Sequence, residues 1–270
     1  MVSTLQYLSP SSFSATRLLI TFSVNQTIPF SRSLTRHGYL ASAFPSLPPE
    51  TSSLLASLAG ADPSFPPSYR SSPLLHWCYA LRAEGVLMRV QSFLEKREGG
   101  KEGGKERGKK RYKVVVLGGG MDGLVLALCA GMKAEEGIKL LEIDVPEVVG
   151  RKEVALRAWR EGGKEGGKGG SVGTFMKEKG SYTLQAADLR VMESVGKALR
   201  GAEEEVEEGK EEKGKEEVLF IFEAVLGYMK PSEVERLLRC VASTIITTCP
   251  SFPPFFIPPS LTVFLPPISI

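Results

Sequence analysis

Histidine is nearly absent: the 270 residues contain two, His37 and His76. Chemistry that depends on an imidazole base therefore has few candidates. The four cysteines, Cys78, Cys129, Cys240 and Cys249, follow no zinc-ligand spacing. A chain of this length needs no disulfide framework, so reduced thiols and no metal site are expected. No run of 18 or more apolar residues occurs, which argues against a membrane-spanning helix. Acidic residues are missing before Glu50, and residues 1–30 are rich in Ser and Thr with Arg17 as their one basic residue. Such a start is compatible with an organelle transit peptide, but those are richer in arginine, and a disordered extension is expected over 1–30. Net charge is only +3 and is not gathered into an aromatic-studded basic patch, so nucleic-acid binding is not the default reading.

What remains is 42% hydrophobic and 24% charged, enough for one domain with a real core. Low-complexity stretches divide it. REGGKEGGKERGKKR, EGGKEGGKGG and the Glu/Lys/Gly-rich 199–216 bury too little apolar surface to offset chain entropy and read as flexible loops. This gives an N-terminal helical segment over 31–96, a linker over 97–112, and a core over 113–248 with loops near 161–170 and 199–216. A tail over 249–270 carries seven prolines in 22 residues and cannot complete a sheet.

Within these limits, Val86, Leu87, Val90, Phe93 and Leu94 fall at helical spacing and predict a helix over 82–96. VVVL at 114–117, KLLEIDV at 139–145, YTLQAADL at 182–189 and VLFIFEAVLGYM from 218 read as strands, the first followed by a helix over 123–132. PSEVERLLRCVAS reads as a helix with Ser232 capping and Glu235 in the capping-box position, and IITT at 245–248 as the start of another strand. Apolar strands alternating with helices predict an α/β fold, a parallel sheet covered on both faces. Ligands on such sheets bind at the carboxyl ends of the strands, where Gly118, Asp144, Asp188 and Glu223 fall.

VVVLGGGMDG, Val114 to Gly123, satisfies the spacing GxGxxG. Glycines permit positive φ and let backbone amides approach a ligand. A triphosphate-binding loop would need Gly-Lys-Ser/Thr, which Met121-Asp122-Gly123 excludes. A dinucleotide and S-adenosylmethionine remain, and both want a ribose-binding carboxylate such as Asp144. Asp188 could accept from an adenine amino group, or cap the following helix. Glu223 lies in an apolar segment, where a carboxylate without a partner is costly, and it is the stronger functional candidate.

LGGGMD, LEIDVP followed by Arg151-Lys152, AADLR and FEAVLGYM occur in an order that resembles the leucine carboxyl methyltransferase family. SRSLTRHGYLASAF and SPLLHWCYALRAEGVLMRVQSFL resemble its two N-terminal helical segments, so the likeness runs over residues 31–248. The resemblance implies a class I S-adenosylmethionine-dependent methyltransferase of Rossmann-like fold with an N-terminal helical cap, located in the cytoplasm. It implies methylation of the C-terminal leucine carboxylate of type 2A protein phosphatase catalytic subunits, with the phosphatase tail as partner. By position, Arg82 matches the arginine that pairs with the cofactor's carboxylate, and Gly118 the glycine at its methionine portion. Asp144 matches the ribose aspartate, Asp188 and Leu189 the adenine-side pair, and Glu223 the glutamate that holds the amino group. Tyr228 matches a family tyrosine that could position the substrate.

Trp77-Cys78 replaces the family's Arg-Gly, Ser31 stands at a cofactor-side lysine with Arg32 beside it, and Gly123 replaces a small hydroxyl residue. The family runs well over a hundred residues beyond its Tyr-Met motif, whereas 41 residues follow Met229 here, so the last strands and the substrate-recognition elements are expected to be missing. Methyl transfer to a carboxylate needs no general base and no metal, only alignment and a dry site, so scarce histidine does not count against it. Arg32 or Arg36 could orient the substrate carboxylate. The alternatives are a family branch acting on transfer RNA in wybutosine synthesis, an inactive homologue that only binds cofactor, and a nicotinamide-linked oxidoreductase.

Overall fold

The computed structural model describes residues 17–21, 47–61, 73–95, 111–132, 137–162, 170–177, 181–204, 216–223 and 225–248. Among these residues, five strands form one sheet: β1 (Arg17–Thr21), β2 (Arg111–Leu117), β3 (Ile138–Asp144), β4 (Tyr182–Ala186) and β5 (Glu216–Glu223). Their spatial order is β1-β5-β2-β3-β4, and every pairing is parallel. The described helices are α1 (Thr51–Gly60), α2 (Pro73–Glu95), α3 (Leu124–Gly131), α4 (Pro146–Gly162), α5 (Gly170–Lys177), α6 (Met192–Glu204) and α7 (Pro231–Thr248). A 3-10 turn, Val225–Tyr228, follows β5.

The central strands alternate between two cores. Val114, Val116, Leu140, Leu219 and Ile221 face one, packed with residues of α1 to α5. Val115, Leu117, Leu141, Ile143, Phe220 and Phe222 face the other, with α6, α7 and the 3-10 turn. A strand whose successive side chains are apolar can only be satisfied by cover on both faces, which is the expected α/β architecture. α2 packs on β2 through an edge-to-face contact of Phe93 with Tyr112, with ring centroids 5.4 Å apart.

Several boundaries differ from the sequence reading. Within the segment expected to be disordered, Arg17–Thr21 pairs with β5 from Leu219 to Glu223. RLLIT is a short apolar run, and β5 offers it an edge that no other described strand pairs with. Arg111 and Tyr112, assigned to the linker, already pair in the sheet, because Tyr112 is completely buried. Residues 199–204, assigned to a loop, continue α6, whose Val195, Ala198 and Leu199 are buried. α2 begins at Pro73 rather than at 82, where the apolar periodicity starts, and so covers the segment SPLLHWCYALRAEGVLMRVQSFL that the family resemblance implies is helical.

IITT does not start a strand; it completes α7. Ile245 falls four residues after Val241, so the helical period continues, and propagating a helix is cheaper than nucleating a new element. The cap also differs. Pro231 is the first helical residue, and the Lys230 amide donates to Glu233 Oε2 at 2.8 Å, while Glu235 pairs instead with Arg239. The tail over 249–270 and the segments 31–46 and 97–110 lie outside the described residues.

Candidate functional site

Strand order reverses at β2: β3 and β4 lie on one side, β5 and β1 on the other. Such a reversal opens a crevice at the carboxyl ends of the two strands that flank it. The glycine turn leaves β2 at this point. Gly118 continues the sheet, its amide donating to Ile143 O at 2.8 Å, and then turns away with φ of +73°. A Cβ at Gly118 would come within 2.5 Å of Val225 Cβ, on the turn that follows β5. Gly118 is thus required by its backbone and by the close approach of the two loops. Gly120 also has positive φ, +60°, but a Cβ there would meet nothing within 4 Å among the described residues. Among the described residues, that side of the turn faces open space.

Asp144 ends β3 beside this turn. Its Oδ2 accepts from the Gly120 amide at 2.8 Å and its Oδ1 from the Val145 amide at 2.7 Å. The half-buried carboxylate is fixed by two backbone donors and keeps further acceptor capacity on both oxygens. Asp122 Oδ1 accepts from the Leu124 amide, tying the end of the turn to the start of α3.

Asp188 follows β4, and the Ala187 amide donates to Asp144 O at 2.8 Å, so the ends of β3 and β4 adjoin. The Asp188 carboxylate is engaged with Arg190: Oδ1 accepts from that residue's amide, and Nη2 donates to Oδ2 at 2.7 Å. These hydrogen bonds hold its carboxyl below the usual carboxylate range. Asp188 therefore shapes the entry to α6, and an adenine amino group would have to share an oxygen with Arg190. Leu189 is buried in the second core, so its side chain packs inward.

Glu223 is the last residue of β5, and Phe222 stands opposite Leu117, which brings the end of β5 alongside Gly118. The Glu223 and Arg82 side chains lie outside the described residues; Arg82 is placed on α2. Tyr228 is 55% exposed on the 3-10 turn, so it is not a core ring. Arg32 and Arg36 lie outside the described residues. Gly118, Gly120 and Asp144 are thus brought together with the end of β5, and Asp188 stands at the next strand end.

Beneath the turn lies a pair, Glu142 of LEIDVP and Lys152 of Arg151-Lys152, to which the sequence reading gave no role of its own. Lys152 of α4 is 1% exposed and Glu142 of β3 is 4% exposed. Lys152 Nζ lies 2.5 Å from Glu142 Oε2, and it donates to Asp122 O at 2.5 Å and to Gly120 O at 3.1 Å. Tyr182 donates to the same Glu142 oxygen at 3.4 Å. Burial pushes the Glu142 carboxyl up, and the Lys152 ammonium pulls it back. Cys129 is buried, and its thiol is pushed far up by burial, so it stays protonated. The signal for the pair was available: a glutamate inside LLEID, and a lysine between Val149 and Leu156 on the buried face of α4. Among the described residues, no cluster of His, Cys, Asp or Glu could hold a metal, and no helix is long and apolar enough to cross a membrane.

A sequence profile described as leucine carboxyl methyltransferase matches residues 104–242. The chain is also similar to the tRNA wybutosine-synthesizing protein 4 of Rattus norvegicus, 29% identical over 215 residues, which cover 78% of this chain and 27% of that protein. The protein of the same name from Homo sapiens is 28% identical over 183 residues, 66% of this chain and 24% of that protein. The chain therefore spans about a quarter of the length of these curated relatives.

Proposed function

The chain belongs to the leucine carboxyl methyltransferase family, and on that premise we propose that it binds S-adenosylmethionine at the β2–β5 crevice and transfers its methyl group to a substrate carboxylate. The observation that carries this reading is the glycine turn held against Asp144, with open space beyond Gly120 among the described residues. The residues fit the cofactor: Gly118 lets the backbone turn where a side chain could not, and Asp144 has acceptor capacity for ribose hydroxyls. Glu223 at the end of β5 and Arg82 on α2 would hold the amino and carboxylate ends of the methionine moiety. Asp188 and Leu189 would border the adenine.

Bound there, S-adenosylmethionine would supply a methyl group already activated on a sulfonium, open to in-line displacement by a carboxylate with S-adenosylhomocysteine as the neutral leaving group. The protein then needs to align the two partners and exclude water, a contribution of about 7–11 kcal/mol when the alignment is good. No residue of the chain has to act as a base, because the attacking carboxylate is already an anion. Tyr228, exposed beside the crevice, is suited to position the substrate.

For the substrate, the relatives favour a carboxylate on transfer RNA in wybutosine synthesis, since both carry that name. The second reading, the C-terminal leucine carboxylate of a type 2A protein phosphatase, is supported by the family description. A methyl-transfer assay with the full chain separates them. Labelled S-adenosylmethionine is offered with transfer RNA bearing the carboxylate precursor, and separately with a phosphatase tail peptide with and without its free carboxylate. Label on the transfer RNA supports the first reading and label on the free-acid peptide the second. Label on neither, from a chain that binds the cofactor, leaves a binding protein and refutes the transferase.

A further inference from the structure

A buried lysine–glutamate pair is a poor stabilising device, because desolvating both charges can cost more than their attraction returns. An apolar pair of similar volume would fill the space between β3 and α4 at least as well. What an apolar pair could not do is donate hydrogen bonds. An ammonium has three donors, and Lys152 has three acceptors around it: Glu142 Oε2, Gly120 O and Asp122 O. Two of the three belong to the backbone of the glycine turn.

The placement follows from β3. Glu142 and Asp144 are two residues apart on one strand, so they point to the same side of the sheet. Asp144 takes the N–H of Gly120, and Glu142 holds the lysine that takes the C=O of Gly120. The peptide units on both sides of Gly120 are therefore locked from a single strand. The carbonyl of Asp122, where the turn passes into α3, is locked by the same ammonium. Gly120 needs this restraint because glycine itself supplies none: its φ is positive and no side chain restricts it.

We infer that Lys152, held in place by Glu142, is a positioning residue for cofactor binding: it fixes the peptide planes of the glycine turn while Asp144 faces the ligand. This rests on the reading of the crevice as an S-adenosylmethionine site. The pair acts through the turn and touches no ligand, so its loss should weaken binding without removing any contact to the cofactor.

The test uses the full chain, the single variant Lys152→Met and the double variant Glu142→Leu/Lys152→Met. The single variant leaves Glu142 buried without its ammonium and reads the cost of breaking the pair. The double variant restores an apolar contact and keeps the fold assessable. The expected result is a double variant with a thermal midpoint at or above that of Lys152→Met and an affinity for S-adenosylmethionine at least tenfold below wild type. Hydrogen exchange at the amides of residues 119–123 should be at least tenfold faster, with exchange in β2 and β3 unchanged. A double variant with wild-type affinity and wild-type exchange in the turn would overturn the inference, because the pair would then be merely structural. The exchange arm reads the turn without any ligand. If wild type binds no S-adenosylmethionine, the functional reading fails alone, and the exchange result still decides the role of Lys152.

Discussion

Gly118 and Gly120 lie two residues apart, both with positive φ, yet the structure assigns them different burdens. Alanine at Gly118 meets a left-handed backbone, costing about 1–2 kcal/mol, and overlap with Val225, adding about 1–3 kcal/mol. Alanine at Gly120 meets only the first cost. Urea unfolding should show Gly118→Ala less stable than Gly120→Ala by about 1–3 kcal/mol; equal losses would mean the two loops are not in contact. Glu142 makes a second prediction, in pH. Burial raises its folded-state pKa above the unfolded value of about 4.3. The native state thus keeps this proton where the unfolded chain has lost it, and the site's contribution to stability falls as pH rises from about 4.3 through the raised folded value. Lys152 opposes that rise, so Lys152→Met should carry the decline to higher pH, whereas Glu142→Gln should remove it. Unfolding free energies measured across a pH series check the slope; identical slopes in wild type and Glu142→Gln would exclude Glu142 as its source.

At the scale of the element, α1 shows how a helix outside the sheet supports the site. Leu54, Leu55 and Leu58 are fully or almost fully buried, and Leu58 lies against Gly123, where the glycine turn enters α3. Trp159 of α4 donates to Ser53 Oγ at 3.0 Å, so α1 bridges α3 and α4. Leu58→Ala should cost about 2–5 kcal/mol and weaken cofactor binding through the turn; a loss below about 0.5 kcal/mol in chemical unfolding would show that α1 is not packed there. α1 falls inside the helical segment expected over 31–96, but TSSLLASLAG does not mark its bounds, because three leucines among small residues give only a narrow apolar stripe. β2, α3 and β3 were legible, because VVVLGGG and KLLEIDVP combine fully apolar runs with strong punctuation. β1 was not: five residues lack their own signal and become a strand only against β5. IITT shows the opposite failure, since its β-branched residues favour a strand locally while α7 carries the period through them. The glycine turn and Asp144 were found together from sequence. The role of Lys152 was not legible because the alignment of a helix residue with a strand residue in the adjoining layer is a tertiary fact.

For the whole molecule, the sheet brings residues distant in sequence to one edge: the turn after β2, the carboxylate after β3, the turns after β4 and β5, and α2 packed behind. The Rossmann-like arrangement makes this edge the natural place for a nucleotide-like ligand, and family membership makes S-adenosylmethionine the ligand to expect. The most direct test is calorimetric titration of the full chain, wild type and Asp144→Ala, with S-adenosylmethionine and with a nicotinamide dinucleotide. One binding site for S-adenosylmethionine is expected, with no binding of the dinucleotide and at least a tenfold loss of affinity, about 1.4 kcal/mol, in Asp144→Ala. Binding of the dinucleotide in place of S-adenosylmethionine, or an unchanged affinity in Asp144→Ala, would contradict this expectation.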